Sequence, residues 1–245
     1  MPTYLETVRD WFRARLDTPG GLATPEGATL GLRVLAIWRS RMIAQALRNA
    51  SGGRVLGGPF AGMAYVESAT EGALAPRLIG TYEDELHPHL AAALAWDPEV
   101  VLDIGCAEGY YAVGLARLAP RAQVFAHDTS ETALEACRRM AEMNGVGDRV
   151  RTGGLFQPAD FQRFEGRRCL VIVDIEGAED DLLHPDQAPA LSGMRLIVET
   201  HDVYRSGVLA RLRTRFEATH EITVVHPGPK TAPLPDLLRN RSHLD

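Results

Sequence analysis

The segment Val100–Ala116, VVLDIGCAEGYYAVGLA, decides the fold. It begins with the apolar run Val100–Ile104, which is too short for a core helix and rich in β-branched residues, and this predicts a strand buried on both faces. Gly105 and Gly109 bracket a turn, and apolar residues at helical spacing follow from Tyr110. A strand, a glycine turn and a helix form the unit that binds nucleotide-like ligands in open α/β sheets.

The glycine spacing argues against a dinucleotide ligand. A dinucleotide-binding turn has the pattern G-x-G-x-x-G, but counting from Gly105 puts Ala107 and Tyr110 in the second and third glycine positions. Asp103, just before the turn, suits a ligand that carries an ammonium group and would repel a pyrophosphate. The string D-x-G-x-x-x-G resembles motif I of the class I methyltransferases that depend on S-adenosylmethionine (SAM).

The following elements extend this resemblance. A second buried strand, Ala122–Asp128, ends in an acid 25 residues after Asp103, where ribose hydroxyls are commonly bound. The alternative role for Asp128 is to cap the next helix, because Thr129 and Ser130 follow it; the two roles are compatible. A weaker third strand begins at Arg149, and the loop after it usually contacts the adenine. The resemblance thus implies cofactor contacts at Asp103, Gly105, Cys106, Glu108, Gly109, Tyr110, Asp128, Thr129, Gly154 and Leu155.

A second motif lies in residues 169–183, CLVIVDIEGAEDDLL. Its apolar run predicts a buried strand with Asp174 at the carboxyl end, where ligands of doubly wound sheets bind. Asp174, Glu176 and Glu179 surround a tight turn at Gly177, and D-I-E-G-A-E resembles the D-x-E-G-x-E hallmark of FkbM-like methyltransferases. The resemblance covers roughly residues 77–202.

The next strand also ends in polar residues, in MRLIVETHD at 194–202. The FkbM-like pattern has an acid here, which Glu199 matches. Catechol-type O-methyltransferases place metal ligands at these two strand ends, so Asp174, Glu199, His201 and Asp202 are candidate oxygen and nitrogen ligands for Mg²⁺ or Ca²⁺. The FkbM-like pattern needs no metal. Without one, Glu199 or His201 would orient the acceptor or take its proton.

Residues 77–96 precede the first strand, in the segment that often folds over the methionine part of SAM and the substrate in class I methyltransferases. Thr81 is a candidate helix cap, and Pro88 marks either a break or a restart of that helix. The polar candidates for the site are Tyr82, Glu83, Glu85, His87 and His89. Of these, His87 is retained as a candidate general base. Together with Asp174, Glu176, Glu199 and His201 it completes the set of residues expected to handle the acceptor and its proton.

The first 50 residues predict two helices, one from Tyr4 to Leu16 and one over about Leu30–Asn49, which Ser51-Gly52-Gly53 ends. We interpret them as a helical cap on the catalytic domain, with their arginines in water. A basic amphipathic helix that recruits a membrane surface or a partner is the alternative, and a homodimer through these helices is a further prediction.

The composition sets outer bounds. The chain has 245 residues, 45% of them hydrophobic and 24% charged, with a net charge of −6, which argues against nucleic acid as the main partner. Three cysteines without CxxC spacing predict free thiols in a reducing cytoplasm. The amino-terminal residues lack the apolar core of a signal peptide, and we expect no membrane span and a cytoplasmic protein.

The predicted architecture is α/β, a doubly wound, mostly parallel sheet with a helical amino-terminal extension. The extension covers residues 1–53 and the methyltransferase domain residues 54–245. Strands are predicted near residues 100, 123, 150, 170 and 195, with a sixth at Glu221–His226. Two short strands are also predicted in residues 54–67. No candidate remains for the seventh, antiparallel strand of class I folds.

The predicted function is transfer of a methyl group from SAM to a small-molecule acceptor. The FkbM-like resemblance implies O-methylation of a sugar or natural-product hydroxyl, an inference by analogy. Two rivals are a non-catalytic module that binds SAM or a partner, and a nicotinamide-dependent oxidoreductase, which the failed glycine pattern disfavours. Binding of SAM without turnover would favour the first rival, and hydride transfer to a bound nucleotide the second.

Overall fold

The computed structural model describes residues 4–16, 18, 20–70, 72–230 and 233–239. The helices are α1 Tyr4–Leu16, α2 Pro25–Ser51, α3 Leu74–Ile79, α4 His87–Ala95, α5 Tyr110–Leu118, α6 Glu131–Met143, α7 Glu179–Leu182, α8 Val208–Phe216 and α9 Asp236–Arg239. The strands are β1 Val100–Ile104, β2 Gln123–His127, β3 Val150–Gly153, β4 Cys169–Val173 and β5 Arg195–Val198. Short 3₁₀ turns lie at Asp84–Leu86, Pro158–Phe164 and Pro189–Gly193.

The five strands form one parallel sheet in the order β3-β2-β1-β4-β5, with β1 in the centre. Val100 pairs with Gln123 of β2 and with Cys169 of β4. The strand order reverses between β1 and β4, so ligands are expected at the carboxyl ends of these strands. The prediction of an α/β, doubly wound sheet with amino-terminal helices is confirmed.

Hydrophobic side chains cover both faces of the sheet. Val101 of β1 packs into the cluster that holds α5 and α6, while its neighbours Val100 and Leu102 pack with the opposite cluster around α8. All five residues of β1, and all five of β4, are buried. Burial on both faces explains why these strands are continuous apolar runs rather than alternating ones.

The amino-terminal helices form as the sequence predicts, although α2 starts earlier. The Thr24 side chain accepts a hydrogen bond from the Gly27 N–H at 3.0 Å, and this cap moves the start of α2 to Pro25. Leu47 of α2 is fully buried in the main core, whereas apolar side chains nearer the start of α2, such as Leu32, are exposed. The division into an extension and a domain, and the homodimer through these helices, stay predictions.

Three predictions of local structure are wrong. Glu221–His226 forms no strand: Ile222 is 39% exposed, so the run has no buried face to hold it against β5, and prolines follow it. Residues 54–67 contain only one isolated bridge, between Arg54 and Ala64, because glycines and a proline interrupt the segment. Thr81 follows α3 and caps no helix; the chain restarts instead at α4, where Pro88 occupies the first turn.

Across the described ranges, no helix is both long and apolar enough to cross a membrane.

Candidate functional site

The glycine turn after β1 lies directly against the end of β4. Gly105 has φ +87°, and a β-carbon there would lie 1.6 Å from the main-chain oxygen of Asp174. Gly109 has φ +94°, and a β-carbon there would lie 2.7 Å from the Cys137 Sγ. Only glycine fits both positions, so the turn brings the backbone of motif I into contact with the acidic strand end.

Asp103 is a deeply buried acid of the predicted cofactor side. It is 2% exposed, and its Oδ2 atom has no hydrogen-bond partner. Burial raises the pKa of Asp103 to about 7. A hydrogen bond from the Ala112 backbone acts to lower this pKa, whereas the nearby carboxylates of Asp174 and Asp128 act to raise it. A buried oxygen without a partner suits a cationic ligand group.

Asp128 joins the ends of β1 and β2. Its Oδ2 accepts the Ala107 N–H at 3.0 Å, and its Oδ1 accepts the Ser130 N–H at 2.7 Å. Ser130 rather than Asp128 caps α6, because its hydroxyl accepts the Ala133 N–H at 3.3 Å. Asp128 therefore holds the motif I turn in place at the strand end where the sequence predicts the ribose, and the exposed Thr129 lies beside it.

The other predicted cofactor residues differ in where their side chains lie. Glu108 is 1% exposed, and its oxygens accept hydrogen bonds from the Tyr65 hydroxyl at 2.6 Å and from Thr70 N–H at 2.9 Å, with the Arg77 Nε 3.5 Å away. Cys106 is 4% exposed. These two side chains point into the protein, so only their backbone is left for the predicted cofactor contact.

Three further predicted cofactor residues frame the site. Tyr110 is 5% exposed, and its buried hydroxyl has no partner. After β3, the Gly154 carbonyl lies 2.9 Å from the His127 Nδ1, and the Leu155 side chain is 69% exposed. An exposed apolar side chain at this loop suits a flat ring, which is the role predicted for Leu155.

On the acceptor side, the loops after β4 and β5 bring an imidazole among carboxylates. The His201 Nε2 lies 3.5 Å from both Asp174 Oδ1 and Glu176 Oε2, and 3.8 Å from Glu199 Oε1. The His201 Nδ1 lies 2.8 Å from Glu179 Oε1. Four of the five residues predicted to handle the acceptor therefore meet at one place.

The ionisation of this group reflects its burial and crowding. Burial raises the pKa of Asp174 to about 7, with the Glu199 carboxylate adding to the shift and His201 opposing it. Burial also raises the pKa of Glu199, helped by Glu83. Burial by itself lowers the pKa of His201, but the hydrogen bond to Glu179 and the surrounding carboxylates outweigh it and raise the pKa.

His87, the fifth of those residues, lies apart in a cavity of about 300 Å³. The cavity is lined by Gly58, Gly80, Asp84, Glu85, His87, Gly228 and Pro229. Burial lowers the pKa of His87, and its Nε2 atom is buried without a partner. Lys230 contacts Asp84 at 2.7 Å and Glu85 at 2.6 Å beside this cavity. His87, the predicted general base, therefore lies outside the group of carboxylates around His201.

Of the four predicted cation ligands, Asp174 and His201 come together, with Glu176 rather than Glu199 as the third member of the group. Asp174, Glu176 and His201 each offer a ligand atom, all within 4.8 Å of one another. The role predicted for Asp202 is wrong, because its two oxygens accept the N–H groups of Gly207 and Leu209 at 2.9 and 3.1 Å and so hold the start of α8.

Two acids that the sequence analysis noted without assigning a role also belong to the site: Glu179 of the second motif and Glu83 of the segment before β1. Glu179 contacts His201, and the last glutamate of D-I-E-G-A-E was the available signal for it. Glu83 accepts a short hydrogen bond from the Tyr111 hydroxyl and raises the pKa values of Asp103, Asp174 and Glu199. Its position in a left-handed turn, φ +46°, has no sequence signal.

Part of the chain is similar to known methyltransferases. A family model described as "Methyltransferase domain" matches residues 101–191. The release factor glutamine methyltransferase of Geobacter sulfurreducens is 33% identical over 110 residues, which are 43% of this chain and 36% of that protein. The chain thus matches about a third of the length of this relative.

Solved structures of methyltransferases are also similar. The methyltransferase PaMTH1 of Podospora anserina aligns with a TM-score of 0.42 and 18% identity over 56% of this chain and 68% of its own. The O-methyltransferase TomG of Streptomyces achromogenes aligns with a TM-score of 0.40 and 16% identity over 71% and 74%.

Residues 101–191 are therefore similar to a methyltransferase domain. The strand order and the motif I turn are consistent with this match.

Proposed function

We propose that the chain transfers a methyl group from SAM to a hydroxyl of a small molecule, such as a sugar or natural product, as the FkbM-like motifs imply. One observation carries this proposal: the glycine turn of motif I touches the acid-lined end of β4, with Gly105 packed on the Asp174 carbonyl. A cofactor on the turn and an acceptor at the strand end would then be neighbours, as direct transfer requires.

The residues on the cofactor side fit SAM. Asp103 Oδ2 and the Tyr110 hydroxyl are buried polar atoms without partners, and a carboxylate suits the ammonium group of the methionine part. Asp128 would hold the ribose, and Gly154 and Leu155 would contact the adenine. When bound, SAM supplies a methyl group on a positively charged sulfur that is already activated for transfer.

For a hydroxyl acceptor, the chain must remove a proton. Asp174 suits this role, because it lies against the cofactor turn and its pKa is about 7, near the working pH of a general base. The acceptor O–H bond would break with the proton moving to the Asp174 carboxylate, while the electron pair stays on oxygen for the bond to the methyl carbon. His201 and Glu199 would orient the acceptor.

The names of the curated relatives favour a second candidate, N-methylation of a protein glutamine, in which the acceptor is a neutral amide. These relatives match this chain only in part, and the match in Geobacter sulfurreducens covers 36% of that protein. The carboxylates around His201 favour the hydroxyl acceptor, because they supply the base that a hydroxyl needs.

A divalent cation would change the mechanism. Asp174, Glu176 and His201 would be the residues to hold it, and the ion would supply a positive charge beside the acceptor oxygen. Turnover that EDTA abolishes and Mg²⁺ restores would support this variant, and turnover that EDTA leaves unchanged would exclude it.

The test uses SAM with a labelled methyl group and three acceptor pools: neutral sugars, hydroxylated natural products and a bacterial peptide release factor. We expect S-adenosylhomocysteine and labelled product from a hydroxyl pool, and neither from Asp174→Asn. Label in the release factor alone would support the second candidate. Binding of SAM without label in any pool would contradict both and favour a non-catalytic module.

A further inference from the structure

Glu179 is an entirely buried acid that connects the two loops of the acceptor side. It is 0% exposed, and its Oε1 accepts the backbone N–H groups of Ile175 at 3.2 Å and Gly177 at 3.1 Å in the loop after β4. The same oxygen lies 2.8 Å from the Nδ1 of His201, in the loop after β5. A buried carboxylate with these contacts fixes both loops at once.

This contact determines which ring nitrogen of His201 faces the site. Because Glu179 Oε1 already accepts two N–H groups, it acts as an acceptor toward His201 too, so Nδ1 carries the hydrogen. The ring is further held by stacking on Tyr204, with centroids 5.8 Å apart and planes at 21°. Nε2 is then the nitrogen that faces Asp174 and Glu176.

The contacts of Nε2 with its neighbouring carboxylates are long. The Nε2 atom lies 3.5 Å from Asp174 Oδ1 and from Glu176 Oε2, which is too far for a good hydrogen bond in either direction. Asp174 Oδ1 is buried and has no hydrogen-bond partner. A hydroxyl beside both groups would donate its hydrogen to Asp174 and, when the ring is protonated, would accept the Nε2–H of His201.

We propose that Glu179 is a positioning residue that acts through His201: it holds the ring so that Nε2 and the Asp174 carboxylate converge on the acceptor hydroxyl. This inference rests on the proposed function, since it assigns the acceptor side of the same site. The protonated ring of His201 would donate its Nε2–H to the hydroxyl oxygen, and the hydroxyl would give its own proton to Asp174.

The neighbouring acids do not share this role. Glu176 lies on the Nε2 side and its side chain is 57% exposed. Asp181 lies on α7 like Glu179, but it is 71% exposed and pairs with Arg205 at 2.7 Å. Asp181→Asn is therefore a matched control, because it removes one charge from the same helix without touching His201.

The test is ¹⁵N NMR of the imidazole nitrogens in the full chain, with the His201 signals assigned by their loss in His201→Gln. In the wild type we expect the hydrogen to stay on Nδ1 whenever the ring is neutral. In Glu179→Gln we expect a mixture of the two tautomers, and in Asp181→Asn the wild-type pattern. A neutral wild-type ring with its hydrogen on Nε2 would overturn the proposal, even if Glu179→Gln did not fold.

Kinetics provides the second readout. Glu179→Gln should lower kcat by about 10- to 100-fold, as loss of such an orienting partner usually does, without a change in the KM for SAM. Glu179→Asp should recover part of the loss, because the carboxylate is kept. Equal kcat in Glu179→Gln and wild type would overturn the positioning role. If the NMR pattern is as expected but no acceptor is methylated, the proposed function fails while the geometry of Glu179 and His201 stands.

Discussion

Asp174 and Asp180 both follow β4, but they have opposite surroundings. Asp180 is 4% exposed, and it accepts hydrogen bonds from Arg211 at 2.7 Å and Arg215 at 2.9 Å. Burial alone would raise the pKa of Asp180, yet the two arginines outweigh burial and lower it. The chain thus stabilises a buried structural acid by pairing it with cations.

Asp174 receives no such pairing. Within the described ranges, no arginine or lysine forms an ion pair with Asp174, Glu176 or Glu199, and the basic side chain in contact with them is the imidazole of His201. Burial therefore raises the pKa of Asp174 to about 7. Acids with raised pKa values are common where a ligand or a reaction needs them, and this difference is the basis of the account.

The largest expected effect is on activity. Asp174→Asn keeps the shape of the side chain but removes the proton acceptor, so methyl transfer should fall by about 100-fold or more. Initial rates of S-adenosylhomocysteine formation measure this effect. Asp181→Asn is the control and should retain the wild-type rate; an equal loss in both variants would remove the distinction between the two acids.

The second effect is on stability. Asp180→Asn leaves Arg211 and Arg215 without their charged partner, and we expect the free energy of unfolding to fall by about 2–3 kcal/mol. Asp174→Asn should cost much less, since it removes no ion pair with arginine or lysine. Urea unfolding of both variants at pH 7 measures the difference, and a larger loss in Asp174→Asn would contradict the comparison.

The smallest effect concerns pH. The pKa of Asp103 is about 7 in the folded chain and about 4 in the unfolded one, so the folded state binds this proton more tightly. The stabilisation is complete at low pH and is lost as pH rises from about 4 to 7. Between pH 5 and 7 we expect a fall of about 2 kcal/mol, which Asp103→Asn should reduce. Urea unfolding between pH 5 and 7 measures this fall. An identical pH dependence in the wild type and in Asp103→Asn would contradict the raised pKa of Asp103.

The sequence predicts the elements whose signal is local. The apolar runs of β1 and β4 and the glycine turn after Ile104 each need only their own residues to be recognised, and all three form as predicted. The sequence also predicts that the acidic strand ends lie close together, because the carboxyl ends of parallel strands share one edge of the sheet.

Contacts between distant residues could not be predicted in this way. The pairing of Asp180 with Arg215 joins two helices, and no local pattern indicates it. The same holds for Glu108, which the motif assigns to the cofactor but which Tyr65 and Thr70 bind. Glu221–His226 has a strand-like composition, but the sheet stops at β5, because strand formation depends on a partner edge and a buried face.

The most direct test of the account is calorimetric titration of SAM into the wild type, Asp103→Asn and Asp181→Asn. If the motif I turn binds SAM with Asp103 at its ammonium group, the wild type and Asp181→Asn should bind in the micromolar range, and Asp103→Asn should bind about tenfold more weakly or worse. Equal binding by all three proteins would contradict the role of Asp103, and no binding to the wild type would contradict the SAM-dependent account itself.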